Sequence, residues 1–198
     1  DGPDPEFTPR LLAVLERHGA RATFFMLGVQ AAAHPELVAR VAAAGHSVAN
    51  HTFDHVPMPE TPRLERLRQL RRCRAALAPH GARLFRPPYG GQSLGSRLDA
   101  MLLGYDVVAW SAHVEDWTPV ESGPMAEQLE RRLAPGAIIL LHDRLQNPRH
   151  PAAADRGPMI EAVDRFLGEV GDRFRFITVP ELLRRGRPVR QHWFREAL

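Results

Sequence analysis

The chain has 198 residues, 44% of them hydrophobic, which suits one domain with a full core. Its 26 basic residues are all Arg, set against 23 acidic ones, so the net charge is only +3; the pI of 9.9 reflects guanidinium groups that keep their protons and is a weak argument for nucleic acid. No apolar run approaches the ~18 residues of a membrane span, and the single cysteine, Cys73, excludes an internal disulfide.

In chain order, helical and strand-like patterns alternate. Thr8 to His18 places Leu11, Leu12 and Leu15 at helical spacing, with Thr8-Pro9 as cap and first turn. Ala22 to Leu27 is a continuous apolar strand, Pro35 to Ala44 an amphipathic helix closed by Gly45, and Ser47 to Ala49 a short strand. Pro62 to Leu77 is helical; its Arg-rich stretch Arg63 to Arg74, with Leu64, Leu67 and Leu70 at helical spacing, is a solvated face rather than a DNA-contacting one, and Cys73 within it is structural. There follow a strand at Arg83 to Phe85, a helix at Leu94 to Leu103, a strand at Tyr105 to Trp110 and a helix at Pro124 to Leu133. A buried strand at Ala137 to Leu141, a helix at Met159 to Val170, a strand at Phe174 to Thr178 and a short helix at Pro180 to Arg184 complete the series. Six or seven such units without a long linker predict an α/β protein with a parallel sheet, closed or nearly closed into a barrel. The polar stretch Asn147 to Gly157 is long for this architecture and reads as a lid or rim.

The reactive residues share a position. His51 and His55 follow the strand ending at Ala49, Arg86-Pro87-Pro88-Tyr89 follows Phe85, Ser111 to Trp117 follows Trp110, and His142-Asp143 follows Leu141. In a parallel barrel those strand ends form one face, where active sites are built. Neutral imidazole is a common metal ligand, and two His with one carboxylate leave an open coordination position. Asp1 offers that carboxylate, although a His-x-x-x-His spacing alone also fits a surface loop with two unrelated histidines. Leu140 reads equally as a buried strand residue, Trp110 as core, and Tyr89 either as a packed aromatic or as part of a turn fixed by Pro87-Pro88. His113 is a partly exposed loop residue, and His18, His34, His46, His80, His150 and His192 lack any partner pattern and are expected on the surface or at caps.

Taken together, these residues resemble the polysaccharide deacetylases of carbohydrate esterase family 4, the NodB-homology domain. Asp1-Gly2-Pro3 matches the end of that family's first motif, T-F-D-D-G-P, and His51-Thr52-Phe53-Asp54-His55 matches H-[ST]-x-x-H. Arg86-Pro87-Pro88-Tyr89 matches R-x-P-Y, Trp110 with Asp116-Trp117 the fourth motif, and Leu140-Leu141-His142 the L-x-H of the fifth. The resemblance implies a distorted (β/α)7-type barrel, truncated or lacking its first strand in this chain, with residues 1–198 forming a single catalytic domain. It implies a divalent metal, most often Zn and in some relatives Co or Mn, held by Asp1, His51 and His55, which would acidify a water and polarise an acetyl carbonyl. The backbone N–H of Tyr89 would help bind the oxyanion, with Pro88 setting the turn. His142 would protonate the leaving amine, and Asp116 would orient that ring and favour its charged form. Trp117 and Leu140 would wall the acetyl pocket.

In relatives Arg86 holds the catalytic base, the first Asp of the first motif, which would precede Asp1. The opening Asp-Gly-Pro without Met predicts residues upstream that carry it, and Asp54, between the two imidazoles, is a poor substitute. The expected activity is removal of N-acetyl groups from an N-acetylglucosamine-containing glycan such as chitin, peptidoglycan or exopolysaccharide. The alternatives are an O-acetyl esterase on the same machinery, or a sugar-binding relative without its base. A zinc protease is disfavoured because no H-E-x-x-H helix is present. The partner is thus an acetylated glycan, and by family resemblance the site of action is extracellular or in the cell envelope.

Overall fold

The computed structural model describes residues 1–189. Four parallel strands, β1 (Thr23–Met26), β2 (Ser47–Asn50), β3 (Gly81–Phe85) and β4 (Asp106–Val107), lie side by side in chain order. β5 (Ala112–His113) and β6 (Ile139–Leu140) form a second parallel pair. The chain passes from one sheet to the other between residues 108 and 111, and each end of that crossing stays bonded to its own sheet: Val108 N–H donates to Phe85 O at 2.8 Å, and Ser111 N–H to Ile138 O at 2.9 Å. This curved band of parallel strands, with helices packed outside, is a distorted α/β barrel.

Register explains why the strands are apolar on both faces. Phe24 pairs with Val48 and Phe25 with Ala49. Phe24 and Val48 point outward into the large core shared with α1 (Phe7–Arg17), α3 (Pro35–Ala43), α6 (Ser122–Arg132) and α7 (Gly157–Val170). Phe25 and Ala49 point inward to Leu84, Val108 and Val179. Helix α7 buries Met159, Ile160, Val163, Phe166, Leu167 and Val170, a 3.6-residue stripe in which each large side chain contributes roughly 1.5–3 kcal/mol.

The predicted helices are present within a residue or two, with local differences. The cap of α1 is not Thr8: Asp4 Oδ1 accepts the N–H groups of Glu6 and Phe7, at 2.9 and 3.0 Å, while Thr8 is drawn inward. On α4 (Arg63–Ala76) Leu67, Leu70 and Cys73 are buried but Leu64 is 82% exposed, so the apolar stripe begins one turn later than predicted. Cys73 is a free, buried thiol whose pKa burial raises to about 12, in keeping with a packing role. Arg63 and Arg66 pair with Asp99 of α5 (Leu94–Leu102).

Two strand expectations are corrected. Phe174–Thr178 forms no ladder: Phe176 O accepts the Arg21 N–H at 3.1 Å, and the stretch remains extended without a paired strand. Its alternating pattern is that of a strand, but a strand also needs a neighbour in register. The strand predicted over Tyr105–Trp110 is laddered only at Asp106–Val107, after which the chain crosses to the unpredicted β5. The unpredicted α2 (Gly28–Ala33) is too short for a clear apolar period. His46, expected on the surface, is buried, and its Nδ1 accepts the Ala22 N–H at 3.1 Å.

Two predictions arise here. A methyl group on Gly28 would meet the Cys73 backbone at 2.8 Å as well as the Phe53 ring, where α2 crosses α4. Gly28→Ala is expected to cost about 1–3 kcal/mol of stability by urea titration. Burial, and then Arg21, lowers the His46 pKa from 6.5 to about 4. The unfolded chain therefore takes up this proton first, and stability falls as pH drops from about 6.5 to 4. In His46→Gln, which keeps an acceptor for Ala22, the urea midpoint should vary less steeply over that interval.

Candidate active site

The strand ends converge as the pattern predicts. Asp1, His51, His55, Arg86, Tyr89, Trp117, Leu140 and His142 all line one cleft of about 1010 Å³. Below the site the cleft continues along the edge of β1 not paired with β2, between Phe24, Ile139, Leu141 and Phe176.

One wall is a histidine–carboxylate cluster. His51 Nε2 lies 3.2 Å from Asp1 Oδ1, and His55 Nε2 lies 3.4 Å from the same atom. One donor atom from each of the three residues lies within 4.8 Å of the others. His51 Nδ1 is 2.6 Å from the Arg86 carbonyl, which can only accept, so Nδ1 carries the proton and Nε2 presents its lone pair. Burial above all depresses both imidazoles: His51 well below its usual value and His55 to about 3. Both are therefore neutral, the form that ligates. Asp1 Oδ1 is buried without a hydrogen-bond partner, while Oδ2 accepts the Gln146 N–H at 2.8 Å. An orphaned buried carboxylate oxygen facing the His51 lone pair, with His55 Nε2 beside it, costs free energy unless a cation fills the gap. These residues fit a divalent metal.

The loop that carries the imidazoles is held from behind. Asn50 Oδ1 accepts the Thr52 N–H at 2.9 Å, and its Nδ2 donates to Leu70 O and to Tyr105 Oη. Gln69 Oε1 accepts the N–H groups of Phe53 and Asp54, and its Nε2 donates to Asp54 Oδ2. Asp54 thus turns toward α4 and away from the cluster. Thr52, His55 and Tyr89 all have positive φ, of 69°, 61° and 57°, a strained conformation for residues with side chains. Tyr89 stands in the turn Pro88–Gly90 with Pro88 buried, and its ring meets His55 edge-on at 4.5 Å.

His142, which lines the same cleft, forms a second histidine–carboxylate pairing with Asp116. His142 Nδ1 lies 2.9 Å from Asp116 Oδ1, and the His142 backbone N–H donates to Asp116 Oδ2 at 2.8 Å. Burial alone would raise the Asp116 carboxyl, but His142 and then Arg156 outweigh it and hold it below the ordinary carboxylate range. With Nδ1 engaged, Nε2 is the ring atom of His142 left for a substrate. Trp117 meets His142 edge-on at 6.0 Å and stacks on His113 at 5.6 Å. Leu140 is buried on the cleft wall.

Arg86 is fully enclosed between Phe25 and Trp110 and donates to the carbonyls of Val108 and Ala109. Among the described residues no carboxylate forms an ion pair with it, and burial lowers its pKa to about 9. Trp110, expected in the core, lies instead on the cleft wall.

The Asp1 segment and the His142 loop are joined by a residue to which the pattern assigned no role. Asp143 accepts the Gly2 N–H at 3.2 Å and the Thr8 hydroxyl at 2.6 Å, tying the segment that bears Asp1 to the loop after β6. Its adjacency to His142 was the only signal in the sequence. The Asn147–Gly157 stretch is an anchored rim with a short 3-10 turn at Pro151–Ala154 and a buried Arg156, not a free lid. His192 lies outside the described residues.

Asp1, His51 and His55, a donor set that could hold a metal ion, thus line the same cleft of the barrel as His142, which is paired with Asp116. Residues 1–108 match the model of the polysaccharide deacetylase family. A peptidoglycan-N-acetylglucosamine deacetylase of Bacillus cereus is 32% identical over 187 residues, 92% of this chain and 65% of that protein. A chitooligosaccharide deacetylase of Sinorhizobium fredii is 35% identical over 180 residues, 87% of this chain and 83% of that protein. Among solved structures, peptidoglycan deacetylase PdaC from Bacillus subtilis superposes with a TM-score of 0.80 at 26% identity, covering 93% of this chain and 86% of that one. The chain belongs to the polysaccharide deacetylase family. Among the described residues no helix is long and apolar enough to cross a membrane.

Proposed function

We propose that the chain is a metal-dependent deacetylase that hydrolyses N-acetyl groups of an N-acetylglucosamine-containing glycan, with residues 1–198 acting as one catalytic unit. The observation that carries this reading is the orphaned Asp1 oxygen between the Nε2 atoms of two imidazoles, in the same cleft as His142 and its Asp116 partner. The names of the relatives support glycan amides as the substrate class. Zn is the favoured cation, since two imidazoles and one carboxylate with an open position suit it. Bound there, it would supply Lewis acidity, bringing the pKa of water from ~15.7 toward ~7 and polarising the acetyl carbonyl.

The protein's own groups do the rest. His51 and His55 stay neutral and are aimed by the Arg86 carbonyl and the α4 contacts. The Tyr89 backbone donates toward the developing oxyanion from a turn preset by Pro88. His142 Nε2 gives a proton to the departing amine while Asp116 steadies the resulting charge balance. Trp117 and Leu140 shape the methyl pocket. We assign Arg86 to the water-activating carboxylate, which the family's first motif places directly before Asp1; a buried guanidinium without a carboxylate partner among the described residues attracts such a group.

The test is acetate release from N-acetylated chitooligosaccharides and from peptidoglycan. Release that stops on chelation and returns with Zn supports the reading. Release from acetylated xylan alone would make it an O-acetyl esterase, and binding without release would make it a sugar-binding relative.

A further inference from the structure

Arg156, the residue directly before α7, is only 2% exposed, and a guanidinium so far from water needs its donors satisfied. Nε donates to the His142 carbonyl at 3.0 Å. Nη1 donates to the carbonyls of Asp116 and Ala153, each at 2.8 Å, and Nη2 to Asp116 Oδ2 at 2.5 Å. Three of these four acceptors belong to the acid pair, and the fourth lies in the rim above it. Asp116 Oδ2 also accepts the His142 backbone N–H, so that oxygen is fully engaged and Oδ1 remains for the imidazole.

We propose that Arg156 is a positioning residue for the acid step: its planar fork fixes the Asp116 carboxylate and the His142 backbone together, so that Oδ1 meets Nδ1 and Nε2 faces the cleft. The role rests on the deacetylase reading, and Arg156 itself touches no substrate. Fork geometry matters more than charge here, because the donors must reach a carboxylate and three carbonyls at once, which a lysine ammonium on its flexible stem does not do. Without the guanidinium, Asp116 would remain buried and half-paired and would turn to satisfy Oδ2 elsewhere.

The test compares Arg156→Met and Arg156→Lys in the metal-loaded protein. The readouts are the downfield Nδ1–H proton resonance of His142, identified by its loss in His142→Ala, and kcat and KM for acetate release from a chitooligosaccharide. In Arg156→Met the resonance should vanish and kcat should fall by ~30- to 100-fold, up to the lower end of what a general acid contributes because the acid is misplaced rather than removed, with KM and metal content within about twofold of native. Arg156→Lys should keep the resonance and lose about 3- to 10-fold in kcat at unchanged KM, a partial rescue. A sharp native resonance with native kcat in Arg156→Met overturns the proposal. So does a native kcat in Arg156→Lys, or a fall in Arg156→Lys as deep as in Arg156→Met, or loss of metal and a raised KM alongside kcat. If Arg156→Met does not fold, Arg156→Lys decides by the same criteria. If the native protein releases no acetate, the deacetylase reading fails, and the resonance still decides whether Arg156 orders the pair.

Discussion

His51→Ala is expected to lose both its divalent metal, by elemental analysis, and acetate release, by at least ~10³-fold. The magnitude follows from two losses at once. Removing one preorganised electrostatic stabiliser costs about 10² to 10³ in rate, and the cation also supplies an acidified water. The Nε2 of His51 lies 3.2 Å from Asp1 Oδ1, on the side of the ring opposite its bond to the Arg86 carbonyl. His51→Ala therefore removes a ligand and also frees that carbonyl. His55→Ala separates the two effects, because its Nδ1 has no hydrogen-bond partner: the ligand and the ring contact with Tyr89 are lost, but no hydrogen bond is freed. Equal loss of metal in both variants places the effect at the cation. Metal retained at native stoichiometry in either variant, with acetate still released, would remove the ligand role for that residue.

The nearness of His51 and His55 was legible because it is local. His51 and His55 sit in one loop after one strand, and strand ends share a face in a parallel barrel. The acid pair was legible only through the family pattern, since Asp116 and His142 lie 26 residues apart and meet where β5 pairs with β6, a strand of two residues without a periodic signal. Arg156 was hidden in a polar loop: loop composition predicts exposure, whereas its four acceptors appear only once the loop folds over Asp116. His46 was misjudged because nothing in its flanking residues reveals the Ala22 N–H that it accepts from across β1 and β2. Phe174–Thr178 has the side-chain alternation of a strand, but ladder pairing depends on a neighbour, which no local pattern specifies.

His142→Ala should give the opposite partition: full metal content and a fall in kcat of ~10²- to 10⁴-fold with KM little changed, at a stability cost of about 1–3 kcal/mol because the buried Asp116 Oδ1 loses its partner. None of the three metal-cluster contacts involves position 142, so the cation has no reason to leave. The His142 ring is hydrogen-bonded by Asp116 Oδ1 and meets Trp117 edge-on, while the backbone N–H to Asp116 Oδ2 survives substitution, so the loop keeps its anchor. What disappears is the proton source for the amine, which leaves poorly as an anion; an ester substrate, whose alcohol is a better leaving group, should therefore be less sensitive to His142→Ala than an amide. Comparing acetate release from an N-acetyl and an O-acetyl substrate in the same variant reads this difference directly. Turnover of the amide at the native rate would exclude His142 as the acid. A matching loss on both substrates would point instead to a role for the ring in binding the acetyl group, beside Trp117.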